Sequence, residues 1–310
     1  MLIRSGPPQL AWHVTKMGTT SAKITASTTD KSVAFVSCGP DFCRVQCSKN
    51  GASIIAVESI WFTDLQEPGY SQSPVTAAIQ LPYTEDMETM GRNHLGGFLF
   101  AVAGDQLLFS QLESDIRWSV HDTPSSHQND SRPVPRKLSI GSKPTNLRYI
   151  PEIRRMVVST IEAKEGKAPP SGHRVLHSSI KLLMMDENRP VEEAKIKQEE
   201  EDGAESLLVL ADYALKHGER VYSIVDCHFT HGDKKFPLIV VSTGIPSPSG
   251  GETGRRLIFN PGKRATKLEL QKESKPDHPV YATAMYSNDM IISAIGKTLT
   301  LEEHDPILKK

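Results

Sequence analysis

Long hydrophobic runs are missing from this sequence of 310 residues. No segment approaches the roughly 18 consecutive apolar residues that a membrane-spanning helix needs. The N-terminal stretch MLIRSGPP has no apolar core of the kind found in signal peptides. We therefore expect a cytosolic or nuclear protein with no membrane partner.

The sequence also has few cysteines and no excess of charge of one sign. Four cysteines are too few for a disulfide scaffold of this size, which fits a reducing compartment. The 36 Lys and Arg residues nearly balance the 37 Asp and Glu residues, and the formal net charge is −1. The bulk charge therefore gives no global attraction to nucleic acid or to an acidic membrane.

Motifs of familiar catalytic chemistry are absent as well. The sequence has no Gly-x-Ser-x-Gly elbow or Ser-x-x-Lys pair in a convincing context, and the glycine-rich residues 250–254 lack the Lys-Ser/Thr end of a phosphate loop. Cys227, His228 and His231 suggest a ligand cluster or a Cys-His nucleophile, but residues three apart in a strand point to opposite faces. We predict that the protein is not an enzyme and needs no cofactor.

Three of the cysteines lie close together, at Cys38, Cys43 and Cys47. Clustered thiolates can close a zinc site, but this spacing departs from the usual knuckle and no His or Cys pair follows nearby. We therefore predict no metal site, and expect buried or half-buried free thiols on a hairpin.

Short apolar runs separated by Gly, Pro, Asn, Asp and Ser recur along the chain, and this pattern is typical of strands joined by hairpins. The clearest hairpin turns on Gly104-Asp105 and a second turns on Gly296-Lys297. A single short helix is predicted at 204–217, with Gly218 ending it. The predicted strands are 32–38, 53–62, 75–81, 97–103, 106–112, 146–150, 155–162, 179–185, 222–229, 237–244, 256–260, 266–271, 280–286, 290–295 and 298–302.

Many short strands at close spacing predict an all-β, WD40-like β-propeller rather than a βαβ fold. Repeats at the length of a blade are weak and no Trp-Asp signature occurs, so the propeller is not a standard one. We expect a single partial propeller over residues 1–310, with about five to seven blades. Disordered polar loops are predicted at about 121–137, 163–173, 186–205 and 245–254.

Basic residues concentrate between positions 132 and 155, where Glu152 is the single acid. On one face such a cluster would contact phosphates, and a tyrosine within it could stack on a base. Basic residues spread over strands also form solvated edges that discourage pairing between molecules. The nucleic-acid candidates are Arg132, Arg136, Lys137, Lys143, Arg148, Tyr149, Arg154 and Arg155.

From residue 179 onward, several short segments follow one another in an order that can be compared with known families. No single motif among them is diagnostic of a family, so the evidence lies in the ordered set. Two earlier segments, PRKL at 135–138 and RMVVS at 155–159, belong to the same comparison but match more loosely. The ordered segments are SIKLL at 179–183, ERVYSIV at 219–225, FPLIVVSTG at 236–244, GRRLIFN at 254–260, PVYA at 279–282 and IISAIGKTL at 291–299.

This ordered set resembles the third-propeller region of the cleavage-and-polyadenylation-factor A family, most closely over residues 135–305. That family includes the large damaged-DNA-binding subunit, the methyl-methanesulfonate-sensitivity adaptor and the large polyadenylation factor subunit. Its members have several propellers and a C-terminal helical domain, so the resemblance implies a fragment or a shortened gene model. The second propeller, which holds the cullin in the ligase members, has no match here.

What the resemblance implies is a non-catalytic scaffold or adaptor that binds the other proteins of a multisubunit nuclear complex. The first expectation is DNA repair and a cullin-type ubiquitin ligase, in which the third propeller grips helices of receptor proteins. The alternative is a nucleic-acid-binding subunit of a complex for mRNA 3′-end processing or splicing, for which the basic cluster is the local support. No receptor-gripping residue maps onto an unambiguous motif in this sequence.

Overall fold

The computed structural model describes residues 20, 22–48, 54–60, 73–82, 96–110, 136–138, 140–165, 174–184, 209–231, 234–246, 250–287 and 289–303. These residues form strands and one short 3₁₀ turn, Pro151–Ile153. The strands are β1 Lys23–Ala26, β2 Val33–Cys38, β3 Asp41–Cys47, β4 Ile54–Ser59, β5 Val75–Gln80, β6 Leu99–Ala103, β7 Gln106–Ser110, β8 Arg136–Leu138, β9 Lys143–Ile150, β10 Arg155–Glu165, β11 Arg174–Met184, β12 Val209–Ala214, β13 Arg220–His231, β14 Lys234–Pro246, β15 Glu252–Asn260, β16 Glu269–Ser274, β17 Val280–Ser287, β18 Met290–Ile295 and β19 Thr298–Glu303.

The strands form five antiparallel sheets in chain order. Blade 1 is β1–β4, blade 2 is β5–β8, blade 3 is β9–β12 and blade 4 is β13–β16, while blade 5 has three strands, β17–β19, in the described part of the chain. The first strand of each blade contacts the first strand of the next. The fold is therefore a β-propeller, with five blades among the described residues, which confirms the predicted class.

The core lies between consecutive blades, because the second strand of each of blades 1–4 is buried on both faces. In β6, Leu99 and Ala101 pack against blade 1, whereas Phe100 and Val102 pack against blade 3. Side chains alternate between the faces of a strand, so a strand that serves two interfaces needs apolar or internally hydrogen-bonded residues at every position. The sequence LFAVA, buried throughout, follows from this requirement.

Both predicted hairpins are confirmed. Ala103 pairs with Gln106 around Gly104, and Ile295 pairs with Thr298 around Gly296. The two glycines have φ of 61° and 56°, a left-handed conformation that residues with a side chain rarely adopt. A glycine at the first central position is typical of a type II′ turn, whose twist suits a hairpin.

The predicted helix at 204–217 is wrong, because residues 209–214 form β12. This strand pairs with β11 at the outer edge of blade 3, where Ser179 lies opposite Ala214. The ring of Tyr213 packs edge-to-face on Phe259 of the next blade, with 4.8 Å between centroids. Packing thus overrides the helical propensity of the segment, and the predicted stop, Gly218, lies in the following turn with φ of 72°.

Three further strands were missing from the prediction, namely β1, β3 and β8. Strands also extend into three of the predicted loops, since β8 includes residues 136–138, β10 continues to Glu165 and β14 continues to Pro246. Long hairpins allow these extensions, because each added residue pairs with the neighbouring strand. The loop predicted at 186–205 lies outside the described residues.

Candidate protein-binding surface

The predicted basic cluster is divided between two blades. Arg136 and Lys137 lie on β8, the outer strand of blade 2, whereas Lys143, Arg148 and Tyr149 lie on β9, the first strand of blade 3. Arg154 follows the 3₁₀ turn and Arg155 begins β10. Arg132 lies outside the described residues. The cluster therefore spans the outer edge of one blade and the first two strands of the next.

Two of the arginines in the cluster bind groups of the protein itself. Arg148 donates from Nε to Oδ1 of Asp226 at 2.6 Å, across the interface between blades 3 and 4. Arg155 donates from Nε to the carbonyl oxygen of Ala265 at 3.3 Å. Tyr149 is 5% exposed and belongs to the core between blades 2 and 3, so its ring offers no open face to a base. Lys143 is exposed at the start of β9.

The first strands of blades 3 and 4 are joined by polar contacts as well as by apolar packing. Asn146 donates from Nδ2 to the carbonyl oxygen of Val221 at 3.1 Å. Farther along the same strands, the Nδ1 atom of His228 lies 4.0 Å from Oε1 of Glu152. The side chain of His228 thus contacts a carboxylate of the neighbouring blade.

The thiol beside His228 is in a different environment. Cys227 is buried between blades 4 and 5 with Val240 and Ile291. Burial, together with the nearby charge of Asp226, raises the pKa of Cys227 to about 12. A thiol with this pKa is almost entirely protonated at neutral pH, and the thiolate is the nucleophilic form. Cys227 is therefore placed as a packing residue.

The three clustered cysteines lie on the predicted hairpin, β2–β3. Cys38 and Cys43 are buried and Cys47 is half-buried, and all three are free thiols. Cys38 donates from Sγ to the carbonyl oxygen of Thr20 at 2.9 Å. Among the residues that the structure describes, no group of three His, Cys, Asp or Glu side chains is placed to hold a metal ion.

A buried ion pair in blade 4 was not found from the sequence. Glu219, which is 0% exposed, accepts from Nε of Arg255 at 2.9 Å and from Oγ1 of Thr243 at 2.5 Å. The backbone N–H of Lys216 donates to the same carboxylate at 2.9 Å. Ser178 of blade 3 donates from Oγ to the carbonyl oxygen of Glu219 at 2.6 Å. These contacts fix the chain between β12 and β13 against both blades.

The guanidinium of this pair is held at both ends. Arg255 also donates from Nη1 to Oε1 of Glu273 at 3.1 Å. Burial alone would lower the pKa of Arg255, but the hydrogen bonds and charges of Glu219 and Glu273 outweigh it and raise this pKa. Arg255 therefore stays charged, and its role in blade 4 is structural.

A second polar cluster joins blades 4 and 5. Ser242 and Thr283 share a hydrogen bond of 2.7 Å, and Thr283 and Ser293 share one of 3.2 Å. Arg256 donates to Oγ of Ser293 at 3.2 Å and forms an ion pair with Glu302. The two arginines of GRRLIF thus point to opposite faces of β15, one within blade 4 and one toward blade 5.

A pair of tyrosine rings, one half-buried and one exposed, lies where the first strands of blades 4 and 5 begin. The rings of Tyr222 and Tyr281 are 5.3 Å apart between centroids. Tyr222 donates from Oη to Glu252, at 3.0 Å from Oε2. Burial and this hydrogen bond raise the pKa of Tyr222 to about 12. Tyr281 is 49% exposed.

Tyr222, Tyr281 and Glu252, together called the tyrosine rim, combine features that protein-binding surfaces favour. Tyrosine supplies a large, rigid apolar ring with a polar tip, and it is enriched among the residues that dominate binding energy. Here one ring is fixed by the carboxylate and supports the second, which is open to solvent. Both tyrosines lie in the ordered segments described above, ERVYSIV and PVYA. Their rings meet only because blades 4 and 5 are neighbours, and the sequence alone does not show that.

No helix within the described residues has the length and apolar character needed to cross a membrane. In comparisons with known proteins, no family model and no curated protein sequence matches this chain. The resemblance to the cleavage-and-polyadenylation-factor A family therefore stays a prediction.

Proposed function

We propose that this protein is a non-catalytic scaffold that binds other proteins through the end of its propeller. The observation that carries this proposal is the tyrosine rim, where a half-exposed Tyr281 rests on a Tyr222 ring held by Glu252. A rigid aromatic anchor loses little conformational entropy when a partner covers it. The propeller fold supplies the rigid frame on which such an anchor acts.

The partners proposed are proteins of a nuclear complex, with DNA repair and a cullin-type ubiquitin ligase as the first candidate. This finer assignment is supported by the ordered segments over residues 135–305. In the family that they resemble, the third propeller grips helices of receptor proteins. A helix that presents an apolar stripe would suit the open ring of Tyr281.

The test is co-purification of the tagged full chain with the subunits of a cullin ligase. We expect these subunits to remain bound at high salt, since an aromatic anchor depends little on ionic strength, and to be lost with Tyr281→Ala. Tyr286→Ala is the matched control, because Tyr286 is exposed near the other end of the same strand. Absence of cullin subunits would overturn the assignment to a ligase, and equal losses in the two variants would overturn the role of the rim.

A nucleic-acid-binding function in mRNA processing is the second candidate. It is supported by Lys143, which is exposed, and by Arg136 and Lys137 on the strand that immediately precedes β9. Its test is salt-dependent binding of the protein to single-stranded RNA, since each phosphate contact releases counterions. Arg136→Glu with Lys137→Glu should weaken binding and reduce the salt dependence, whereas Lys272→Glu on β16 should not. Binding that does not respond to salt would overturn this candidate.

A further inference from the structure

The outer strand of blade 5 is a sheet edge with an unusual sequence. In the described part of the chain β19 pairs with β18 alone, whereas the third strands of blades 1–4 each pair on both sides. Leu299 and Leu301 of β19 are 75% and 54% exposed. Exposed apolar edge strands are templates for pairing with another chain, and proteins usually protect them with lysine, proline or a bulge. We call this strand, with Lys297 before it, the β19 edge.

The backbone groups available along the β19 edge follow from the hairpin. Ile295 and Thr298 close a two-residue turn and so exchange both hydrogen bonds of their pair. Thr298, Thr300 and Glu302 therefore direct their N–H and C=O groups toward β18. Leu299, Leu301 and Glu303 alternate with them and direct theirs outward.

The side chains of the β19 edge are complementary to a second copy of the same strand. If two copies pair antiparallel about Thr300, then Leu299 of each lies opposite Leu301 of the other, and Lys297 lies opposite Glu303. Residues that lie opposite one another share a face of the sheet, so the four leucines form one apolar cluster with an ion pair at each end. Shifting the axis to Leu301 would place Leu299 opposite Glu303, which loses both ion pairs and keeps only the contact of Leu301 with its own copy.

The neighbouring strands of blade 5 extend this apolar face. Leu299 lies opposite Ala294 and Leu301 lies opposite Ile292 in the β18–β19 ladder. Ala282 and Ala284 of β17 share the same face and are exposed. Pairing of two edges would therefore continue a small-residue and leucine surface from one copy into the other.

From these observations we infer that two copies of this protein associate through their β19 edges, centred on Thr300, to form a symmetric dimer. The interface is isologous, so each contact occurs twice. One paired strand buries less area than a standard protein interface, and the dimer therefore dissociates on dilution. This dimer leaves the tyrosine rim to other partners and does not depend on the proposed function.

The first test is the mass of the full chain in solution as a function of concentration. Lys297→Glu places like charges opposite one another at both ends and should raise the dissociation constant about tenfold. Glu303→Lys should do the same, and the double variant with both exchanges should restore the affinity. Lys272→Glu, the same change on the exposed outer strand of blade 4, is the control. All three positions are on the surface, and circular dichroism checks that each of the four variants is folded.

Hydrogen exchange along β19 provides a second test within the same strand. The amides of Leu299, Leu301 and Glu303 should become protected only at concentrations at which the dimer forms. The amides of Thr300 and Glu302, which face β18, should be protected in both states. A monomer at all concentrations, a dimer that Lys297→Glu does not weaken, or a monomer whose outward amides are already protected by another strand of its own chain would each overturn the inference.

Discussion

Replacing Arg255 by methionine should destabilise this protein far more than removal of an ordinary surface arginine. Glu219 would keep the hydrogen bonds from Thr243 and Lys216 but would lose the guanidinium at 2.9 Å. Its carboxylate is 0% exposed, so water cannot replace the lost partner. Breaking a buried ion pair on one side costs about 3–5 kcal/mol, because an uncompensated charge remains in the interior.

The cost can be assigned to the stranded charge by a second variant. Glu219→Gln combined with Arg255→Met keeps an acceptor for Thr243 but removes the buried negative charge. The remaining cost is that of unsatisfied amide donors, about 1–3 kcal/mol. The double variant should therefore be more stable than Arg255→Met alone, although it carries one more substitution.

Equilibrium unfolding by urea, followed by far-UV circular dichroism, measures these free energies. Arg44→Met is the control, since the pair of Arg44 with Glu58 joins the third and fourth strands of blade 1, where the carboxylate side chain is 59% exposed. Its loss should cost no more than about 1 kcal/mol. A free energy of unfolding for Arg255→Met within about 1 kcal/mol of the parent would refute the reasoning. So would a double variant that is less stable than the single one.

Three further predictions concern acid sensitivity, close packing and thiol reactivity. Burial alone would raise the pKa of Glu273, but the neighbouring guanidinium outweighs it and lowers this pKa below 4.5. The ionised carboxylate thus stabilises the fold above that pH, and this contribution is lost as the pH falls through the folded-state pKa. Glu273→Gln should therefore make the free energy of unfolding fall less steeply at acid pH. Gly254→Ala should cost about 1–3 kcal/mol, read from the shift in Tm, because the added Cβ would lie 2.6 Å from the carbonyl oxygen of His278; an unchanged Tm would show that the close approach is not needed. Cys227, with a pKa of about 12, should hold about a thousandfold less thiolate than a thiol of pKa 9.0. It should therefore be alkylated more slowly than the half-buried Cys47, and equal alkylation rates of the two thiols would contradict the burial of Cys227.

The strands of this protein were largely predictable because they are buried on both faces. Continuous apolar runs such as LFAVA and LIVV have no polar interruptions, and Gly104 ends the first of them at a turn that requires a positive φ. Residues in these runs are apolar on both faces of the strand, so the strands can be recognised without knowing which blade each face contacts. Local pattern and tertiary structure therefore agree in the centre of each blade.

Strands β1, β3, β8 and β12 were harder to predict because their environment is uneven. β1 and β8 are short, and β3 has charged or polar residues between its buried ones. The segment of β12 has alanine, leucine and aspartate at a spacing that suits a helix, and only pairing with β11 makes it a strand. In each case the deciding contact comes from a neighbour that is distant in the sequence or from a blade interface.

The candidate surfaces were less predictable than the fold for the same reason. The basic cluster is contiguous in sequence, yet it is divided between two blades, and Arg148 is ion-paired with Asp226. The tyrosine rim joins Tyr222 and Tyr281, which are far apart in the chain. Charges that are close in the sequence can lie on different blades, whereas residues that are one blade apart in the sequence can be in contact in the propeller.

The placement of polar groups between blades bears on what the propeller can do. Apolar packing between blades tolerates sliding, because dispersion and burial depend weakly on direction. Hydrogen bonds such as Asn146 to Val221 and Ser242 to Thr283 are directional, and each fixes the offset of one blade on the next. Buried polar contacts often add less to stability than apolar ones, but they can specify one arrangement among several. A rim made of residues from two blades keeps its geometry only when that offset is fixed. The hydrogen bond between Ser242 and Thr283 joins the two blades that carry Tyr222 and Tyr281, and it would thus hold the proposed binding surface in one geometry.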